Sequence, residues 1–334
     1  MAVDLRAVAE LSGVSVSTVS RALRGSPRVN SRTRAKVLRA AESLNYRPNA
    51  AARGLRTRQS QLVGVVIPNL VSVTFVNLFS HLQAGFRAHG YETVLSVTNG
   101  EPEQELAAFA TLLGHQIDGV IAIGSYSVST DFLRESRLPA VHLFNAPDQP
   151  AGDCVTINEF ESTQDAIGHL ISHGHRRIGC IDGSSEPTVA GYEYAVRKHD
   201  LPMDPQLLHL GKYDTETGTE GVDKLVALDD PPTAIFFGCY ENWLSGIPRL
   251  LEHGLTIPDQ MSVVCRDDAE MLRWWRPSIS AVDVQVPAIA KLAVDRLVDA
   301  MATDEGALTE QRHGKYQVAT TLIKRHSVAD PPRR

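Results

Sequence analysis

Residues 5–25 read LRAVAELSGVSVSTVSRALRG, and how this stretch folds decides the character of the N-terminal end. It divides into three pieces. Asp4 is placed to cap a first helix, because a carboxylate just before a helix accepts from the free N–H groups of its opening turn. Leu5, Val8 and Ala9 then fall on one face at i, i+3, i+4. Gly13 ends that helix, as the left-handed residue after a helix favours glycine. Ser15 caps a second, short helix with Val19, Ala22 and Leu23 pointing inward, which leaves Val16, Ser17, Ser20 and Arg21 outward. Gly25 and Pro27 close it. A third helix runs from Asn30 with Val37, Leu38, Ala41 and Leu44 as its apolar stripe. Helix, glycine turn, short helix and longer helix make a helix-turn-helix arrangement.

Charge gives this head a partner. The 334 residues carry a net charge of −6, with 43% hydrophobic and 22% charged residues, a composition suited to folded domains. Residues 1–60 hold twelve Arg and Lys against Asp4, Glu10 and Glu42, so +9, and the remainder carries −15. A basic head on an acidic body points to a polyanion at the head. In a helix-turn-helix unit the second helix enters the major groove and its early outward residues meet base edges. Arg21 suits guanine O6 and N7, Ser17 and Ser20 suit several bases, and Val16 suits a thymine methyl. Arg24, Arg28, Arg32 and Arg34 are then expected to hold phosphates and fix the register. Residues 46–60, YRPNAAARGLRTRQS, predict a hinge helix too short to stand alone in water. On DNA its alanines allow close approach to the minor groove, and Leu55 can wedge between base steps.

Other functional classes find little support. No charged start followed by an apolar run marks a signal peptide, and no stretch approaches a membrane span, so a cytoplasmic protein is expected. Cys154, Cys180, Cys239 and Cys265 sit far apart in or beside apolar runs, as buried thiols do. His173 and His175 in SHGHRR have no further ligand at metal spacing. No metal or cofactor is expected.

From residue 61 apolar strands alternate with helices: QLVGVVIPN, YETVLSV, DGVIAIG and PAVHLFN, then, from about residue 155, RRIGCIDG, LLHLGKY, TAIFFGC, MSVVCRD and SISAVDV. Continuous apolar strands between helices mean parallel sheets covered on both faces. Two successive sets predict two doubly wound lobes with a cleft at the strands' C-terminal ends. No dinucleotide, phosphate-loop or nucleophile-elbow motif is present. Asp267–Asp268 are adjacent on one strand end and point apart, so catalysis is not expected.

The stretches VAELSGVSVSTVSRALRGSPRVN and TRAKVLRAAESLNYRPNAAARGLRT closely resemble the LacI/GalR family of bacterial transcription regulators. HLISHGHRRIGCIDG, TAIFFG, GLTIPDQMSVVCRDD, PSISAVDV and TLIKRHS resemble its periplasmic-binding-protein-like sensor domain, so the likeness runs from residue 4 to residue 327. The resemblance implies a helix-turn-helix DNA-binding domain over 1–47 and a hinge helix and linker over 48–60. It implies a two-lobed α/β effector-binding and dimerisation domain over 61–334, with interlobe crossings near 158 and 282. Base and phosphate contacts are then expected from Val16, Ser17, Ser20, Arg21 and Arg28, and minor-groove contacts from Ala52 and Leu55. Arg24 and Gly54 replace the family's usual Asn and Ser.

The pocket departs from the family's pattern. Ser72-Val73-Thr74-Phe75 replaces an Asn-Pro-Phe-Phe run, Cys239-Tyr240 replaces an Asn-Asp pair, and Thr188 stands where an arginine usually clamps the ligand. Asp267 matches the aspartate that bonds ligand hydroxyls or amines, and Trp243, Trp274 and Trp275 border the cleft. The expected effector residues are Phe75, Ser125, Tyr126, Thr188, Phe236, Tyr240, Asp267 and Trp274. Threonine supplies neither the charge nor the fork of arginine. The expected effector is therefore neutral or cationic, held by aromatic stacking plus Asp267. The resulting expectation is a repressor that binds a pseudo-palindromic double-stranded operator as a homodimer, gated by a small molecule. The alternative is a regulator controlled by a protein partner or by no ligand.

Overall fold

The computed structural model describes residues 4–23, 26–46, 59–124, 127–303 and 313–332. Its chain falls into two units, Met1–Ser60 and Gln61–Arg334.

In the first unit, helix α1 (Leu5–Ser12) opens on Asp4, whose carboxylate accepts from the N–H groups of Arg6 and Ala7. Gly13, at φ 61°, closes it in the left-handed conformation that side chains with a Cβ disfavour. Helix α2 (Val16–Leu23) begins after Ser15, whose hydroxyl accepts from the Thr18 N–H at 3.2 Å. Helix α3 (Ser31–Ser43) is capped by Asn30 through the Thr33 N–H. Val8, Val19, Ala22, Val29, Val37 and Ala41 form one core among the three. Leu38, expected in the α3 stripe, is exposed. The buried positions are Val37, Ala40 and Ala41, spaced i, i+3, i+4, and Leu38 lies about 100° round the helix from Val37.

The second unit contains two lobes. The first lobe runs through β1 (Leu62–Ile67), α4 (Val73–Ala88), β2 (Glu92–Val97), α5 (Pro102–Gly114), β3 (Gly119–Ile123), α6 (Ser127–Ser136), β4 (Ala140–Leu143) and β5 (Asp153–Ile157). The second runs through α7 (Glu159–Ser172), β6 (Ile178–Asp182), α8 (Glu186–Lys198), β7 (Leu208–Leu210), α9 (Thr215–Val226), β8 (Ala234–Phe237), α10 (Tyr240–Glu252), β9 (Ser262–Arg266), α11 (Met271–Trp274) and β10 (Ser280–Asp283). The chain then returns to the first lobe with α12 (Val286–Ala302) and β11 (Lys315–Val318), and ends on β12 (Thr321–Ile323) in the second.

The sheet orders are β11-β5-β4-β3-β1-β2 and β12-β10-β9-β8-β6-β7. Every pairing is parallel except β10 with β12, an antiparallel edge on the otherwise parallel second sheet. In each lobe the first strand has neighbours on both sides, so its adjoining helices leave on opposite faces and a crevice opens at the strands' C-terminal ends. The chain crosses between lobes near 158, near 284 and near 319; the third crossing comes from the short strands β11 and β12. The first and third crossings are tied to each other, and the second is braced within its own turn. Asn158 Oδ1 accepts the Thr320 N–H at 2.8 Å, and Asp283 Oδ1 accepts the N–H of Gln285, whose φ is 58°.

Candidate nucleic-acid interface and interlobe cleft

On α2 the side chains of Val16, Ser17 and Arg21 are exposed. Arg21 folds back along its own helix, its Nε donating to the Ser17 carbonyl at 3.2 Å and Nη2 to the Ser17 hydroxyl at 3.3 Å. These are exposed contacts four residues apart, weak enough for the guanidinium to leave for a stronger acceptor. Arg28 is exposed in the turn before α3. Two expectations change. Ser20 is 9% exposed and so not outward: it shares the side of α2 with Leu23, which packs against the core. Arg34 is half-buried and donates to the carbonyls of Ser26 (2.7 Å) and Val29 (3.3 Å), tying down the turn between α2 and α3. Arg24, Ala52 and Leu55 lie outside the described residues.

The cleft of the second unit is built on strand ends. Strand β6 closes on Asp182 and β9 on Arg266, with Asp267 following. Arg266 is buried, and its guanidinium lies 5.5 Å above the Phe236 ring. Nη1 donates to Thr188 Oγ1 (2.8 Å) and the Gly238 carbonyl (3.0 Å), and Nη2 to Thr163 Oγ1 (2.7 Å). Burial disfavours this cation, but Glu159, Asp182 and Asp267 outweigh it and raise its pKa. Asp182 is itself pushed up by burial, against the pull of Arg266. Its Oδ2 accepts the Ser185 N–H at 2.8 Å, while Oδ1 has no hydrogen-bond partner among the described residues. Glu159 accepts from the Ser185 hydroxyl. The Tyr213 ring lies over Gly183, where a Cβ would come within 2.4 Å of it.

Asp267 and Glu241 meet the other lobe. Asp267 has φ 70°, an uncommon backbone for aspartate. Its Oδ2 accepts the Tyr240 N–H at 3.1 Å, and the Thr74 hydroxyl of the first lobe also donates to its carboxyl. Burial, then Glu241, pushes its pKa up to about 7, with Arg266 opposing. Glu241, also raised by burial, accepts from Asn69 Nδ2 of the first lobe at 3.1 Å. Two carboxyls of one lobe therefore engage two uncharged donors of the other.

The effector candidates divide. Asp267 stands in the cleft, and Thr188 supports it from beneath: it is 0% exposed with its hydroxyl engaged by Arg266, and so holds the arginine instead of a ligand. Phe236 and Tyr240 have core side chains; Phe236 is the platform under Arg266, and Tyr240 packs edge-on against Trp243 with ring centroids 4.7 Å apart. Trp243 is buried and donates to the Arg266 carbonyl at 3.0 Å. Trp274 is 67% exposed at the end of α11. Phe75 is half-buried, 6.1 Å from the Phe144 ring. Ser125 and Tyr126 lie outside the described residues. Sequence reasoning missed Arg266, Asp182, Glu159 and Glu241. The available signal was a charged residue closing an apolar run, in IGCID and SVVCRD.

No group of three His, Cys, Asp or Glu side chains among the described residues is arranged to hold a metal ion. The four cysteines are buried free thiols.

With this geometry in view, likeness to known proteins is informative. Residues 4–49 match the family described as bacterial regulatory proteins, lacI family, and residues 167–328 match the periplasmic binding protein-like domain. The chain is 32% identical over 290 residues to the catabolite control protein A of Priestia megaterium, covering 84% of this chain and 87% of that one. The chain belongs to the lacI family. The lacI-family repressor CytR of Escherichia coli is 28% identical over 90% of each chain. The fold agrees with the Lac repressor dimer bound to operator and the anti-inducer ONPF, at a TM-score of 0.85 and 23% identity, covering 98% of this chain and 100% of that one. The chain is thus a DNA-binding transcriptional regulator, with a helical N-terminal domain followed by a two-lobed α/β domain. No helix among its described residues is long and apolar enough to cross a membrane.

Proposed function

We propose that this lacI-family regulator is a repressor that binds a two-fold operator as a homodimer in the cytoplasm, with a small molecule in the interlobe cleft setting its affinity for DNA. It performs no catalysis. One recognition helix reads one half-site, so two copies are needed for a two-fold operator. Val16, Ser17 and Arg21 read bases, Arg28 holds a phosphate, and Ala52 and Leu55 contact the minor groove.

The observation that carries the effector class is the charge of the cleft. Glu159, Asp182, Glu241 and Asp267 gather there, while the cation Arg266 is already committed to Thr163, Thr188 and Gly238. An anionic effector would add a like charge to buried carboxyls without gaining a free cation. A neutral or cationic molecule rich in donors meets an acceptor already in place, the half-buried Asp267. Binding shifts a two-state equilibrium of the lobes by its differential affinity for the two states.

The test is thermal unfolding of the purified protein against neutral sugars, nucleosides, amines, and sugar phosphates. A ligand at about 100 times its Kd stabilises the native state by about 2.7 kcal/mol. Stabilisation by neutral or amine compounds that disappears in Asp267→Ala supports the reading. Stabilisation by hexoses that survives Asp267→Ala removes Asp267 from the site.

A further inference from the structure

A second cavity, of about 520 Å3, opens on the second lobe between α7, α8 and the edge strand β12, and shares no residue with the cleft described above. Its size is that of small-molecule sites, roughly 300–1,000 Å3. Three features of its wall point to an occupant. His169 of α7 is 7% exposed, yet neither ring nitrogen has a hydrogen-bond partner among the described residues. The His173 ring stands edge-on to it at 4.6 Å and holds it in place. Buried polar groups are ordinarily satisfied, so an imidazole in a cavity wall with both nitrogens buried and unpartnered among the described residues marks a place for a partner.

The second feature is charge. Lys198, at the end of α8, and Lys324, just past β12, line the cavity against a single carboxylate, Asp165. The third is space. A Cβ built on Gly168, in the middle of α7, meets nothing within 4 Å, so the helix surface there is bare. Burial, then His173, Lys324 and His175, lowers the His169 pKa to about 4, so its ring is neutral and presents one donor and one acceptor.

We propose that this cavity is a second ligand site for a small phosphorylated metabolite, its phosphate between Lys198 and Lys324 and a neighbouring polar group on His169. Two ammonium groups suit a dianion, and a neutral imidazole beside them suits the hydroxyl or phosphate oxygen next to it. The cavity's chemistry is opposite to that of the cleft: cationic where the cleft is carboxyl-rich. The two sites therefore sort ligands by charge, and this one stands whether or not the cleft reading holds.

The experiment is calorimetric titration of the full chain with glucose 6-phosphate, AMP, inorganic phosphate and glucose, repeated on Gly168→Leu and Lys324→Glu. Leucine is a better helix former than glycine and projects into the bare space, so it fills the cavity without disturbing the helix. Thermal melting confirms that each variant is folded, and Lys324→Glu, being on the surface, keeps the test open if Gly168→Leu is not. The expected result is binding of at least one phosphorylated probe in preference to glucose, weakened about tenfold or more in both variants. On saturation, the His169 ring proton resonances should titrate at higher pH than in the free protein. The inference is overturned if glucose binds as well as its 6-phosphate, or if both variants bind the phosphorylated probe as the parent does. It is equally overturned if no phosphorylated probe binds at about 10 mM.

Discussion

The helical unit and the interlobe cleft store their charge in opposite ways. Residues 1–60 carry +9, and Arg21 and Arg28 hold theirs at the surface, with Arg21 bonded among the described residues to its own helix. In the cleft, Arg266, Asp182, Asp267 and Glu241 are all desolvated, each engaged by neighbours fixed in the fold. The difference follows from the partners. DNA brings its own charge and counterions, so mobile surface cations suffice and their contribution falls with salt. A small molecule brings little, so its site must be set in advance by groups whose hydration was surrendered during folding. Charge at the helical unit is therefore a binding term; in the cleft it is first a stability term.

That contrast is most exposed at Arg266. Replacing it with Met strands Asp182 and Glu159 without their cation, and breaking a buried charge cluster in this way costs about 3–5 kcal/mol. The loss should appear in urea unfolding at pH 8 and shrink at pH 5, because Asp182 and Asp267 already titrate high and protonate readily once Arg266 is gone. Adding Asp182→Asn to Arg266→Met should recover part of it. A loss below about 1 kcal/mol at pH 8 would place the cleft with ordinary surface charge and end the contrast.

Asp267 sharpens the same point with the opposite sign. Its folded-state pKa is raised from 3.8 to about 7, so the folded protein holds this proton longer than the unfolded chain. Stability from this group is therefore fully present at low pH, falls as pH rises from about 4 to about 7, and stays low above that. Asparagine keeps the acceptor for the Tyr240 N–H and never ionises. Asp267→Asn should stabilise the protein by about 1–2 kcal/mol at pH 8, allowing for lost hydrogen-bond strength against about 1.4 kcal/mol per pKa unit. By pH 5 the gain should vanish. Equal unfolding curves at pH 8 would mean that the carboxyl is ordinary and the lobes meet through a carboxylate.

The two regions also differed in how legible they were. Asp4, Gly13, Ser15 and Asn30 announce their helices because caps are local: each acts through a backbone group two to four residues away. The parallel lobes followed from apolar runs in the same way. The cleft did not, because its partners are distant in sequence. Arg266 reaches Thr163 and Thr188, 103 and 78 residues away, and Asn69 reaches Glu241, 172 residues away. Within SVVCRD nothing separates a buried arginine from one ending a strand at the surface. Aromatic residues misled for a related reason. Phe236 on β8 and Tyr240 and Trp243 on α10 adjoin cleft residues in sequence, but all three side chains pack into the core. In the helical unit the misses were rotational: Ser20 and Leu38 sit at the edge of a stripe, where a step of 100° decides burial.

Smaller effects test the recognition face. Arg21→Ala should cost about 1–3 kcal/mol at one base pair per half-site, read by anisotropy titrations against an operator and its single-base variants. Arg28→Ala should weaken all sequences alike and reduce the salt slope by about 1. If the two variants behave identically, Arg21 is a phosphate contact and the face has no demonstrated reader.

Ser20 should have the smallest effect on DNA, and it is the sharpest test of how α2 is rotated. As an outward residue it would belong with Ser17 among the base readers, and its removal would relax the preference at one position. Its observed place is in the seam between α2 and the core, at 9% exposure, beside the side of the helix that carries Leu23. A hydroxyl there contributes to the folded unit, about 1 kcal/mol or less when removed, and has no base edge within its reach. Ser20→Ala should therefore lower the melting temperature of the protein slightly and leave the ranking of operator variants unchanged, whereas Ser17→Ala, on the exposed face, should leave melting unchanged and alter that ranking. A changed ranking with Ser20→Ala would show that α2 turns on its axis when it meets DNA, and the surface would then have to be redrawn around that rotation.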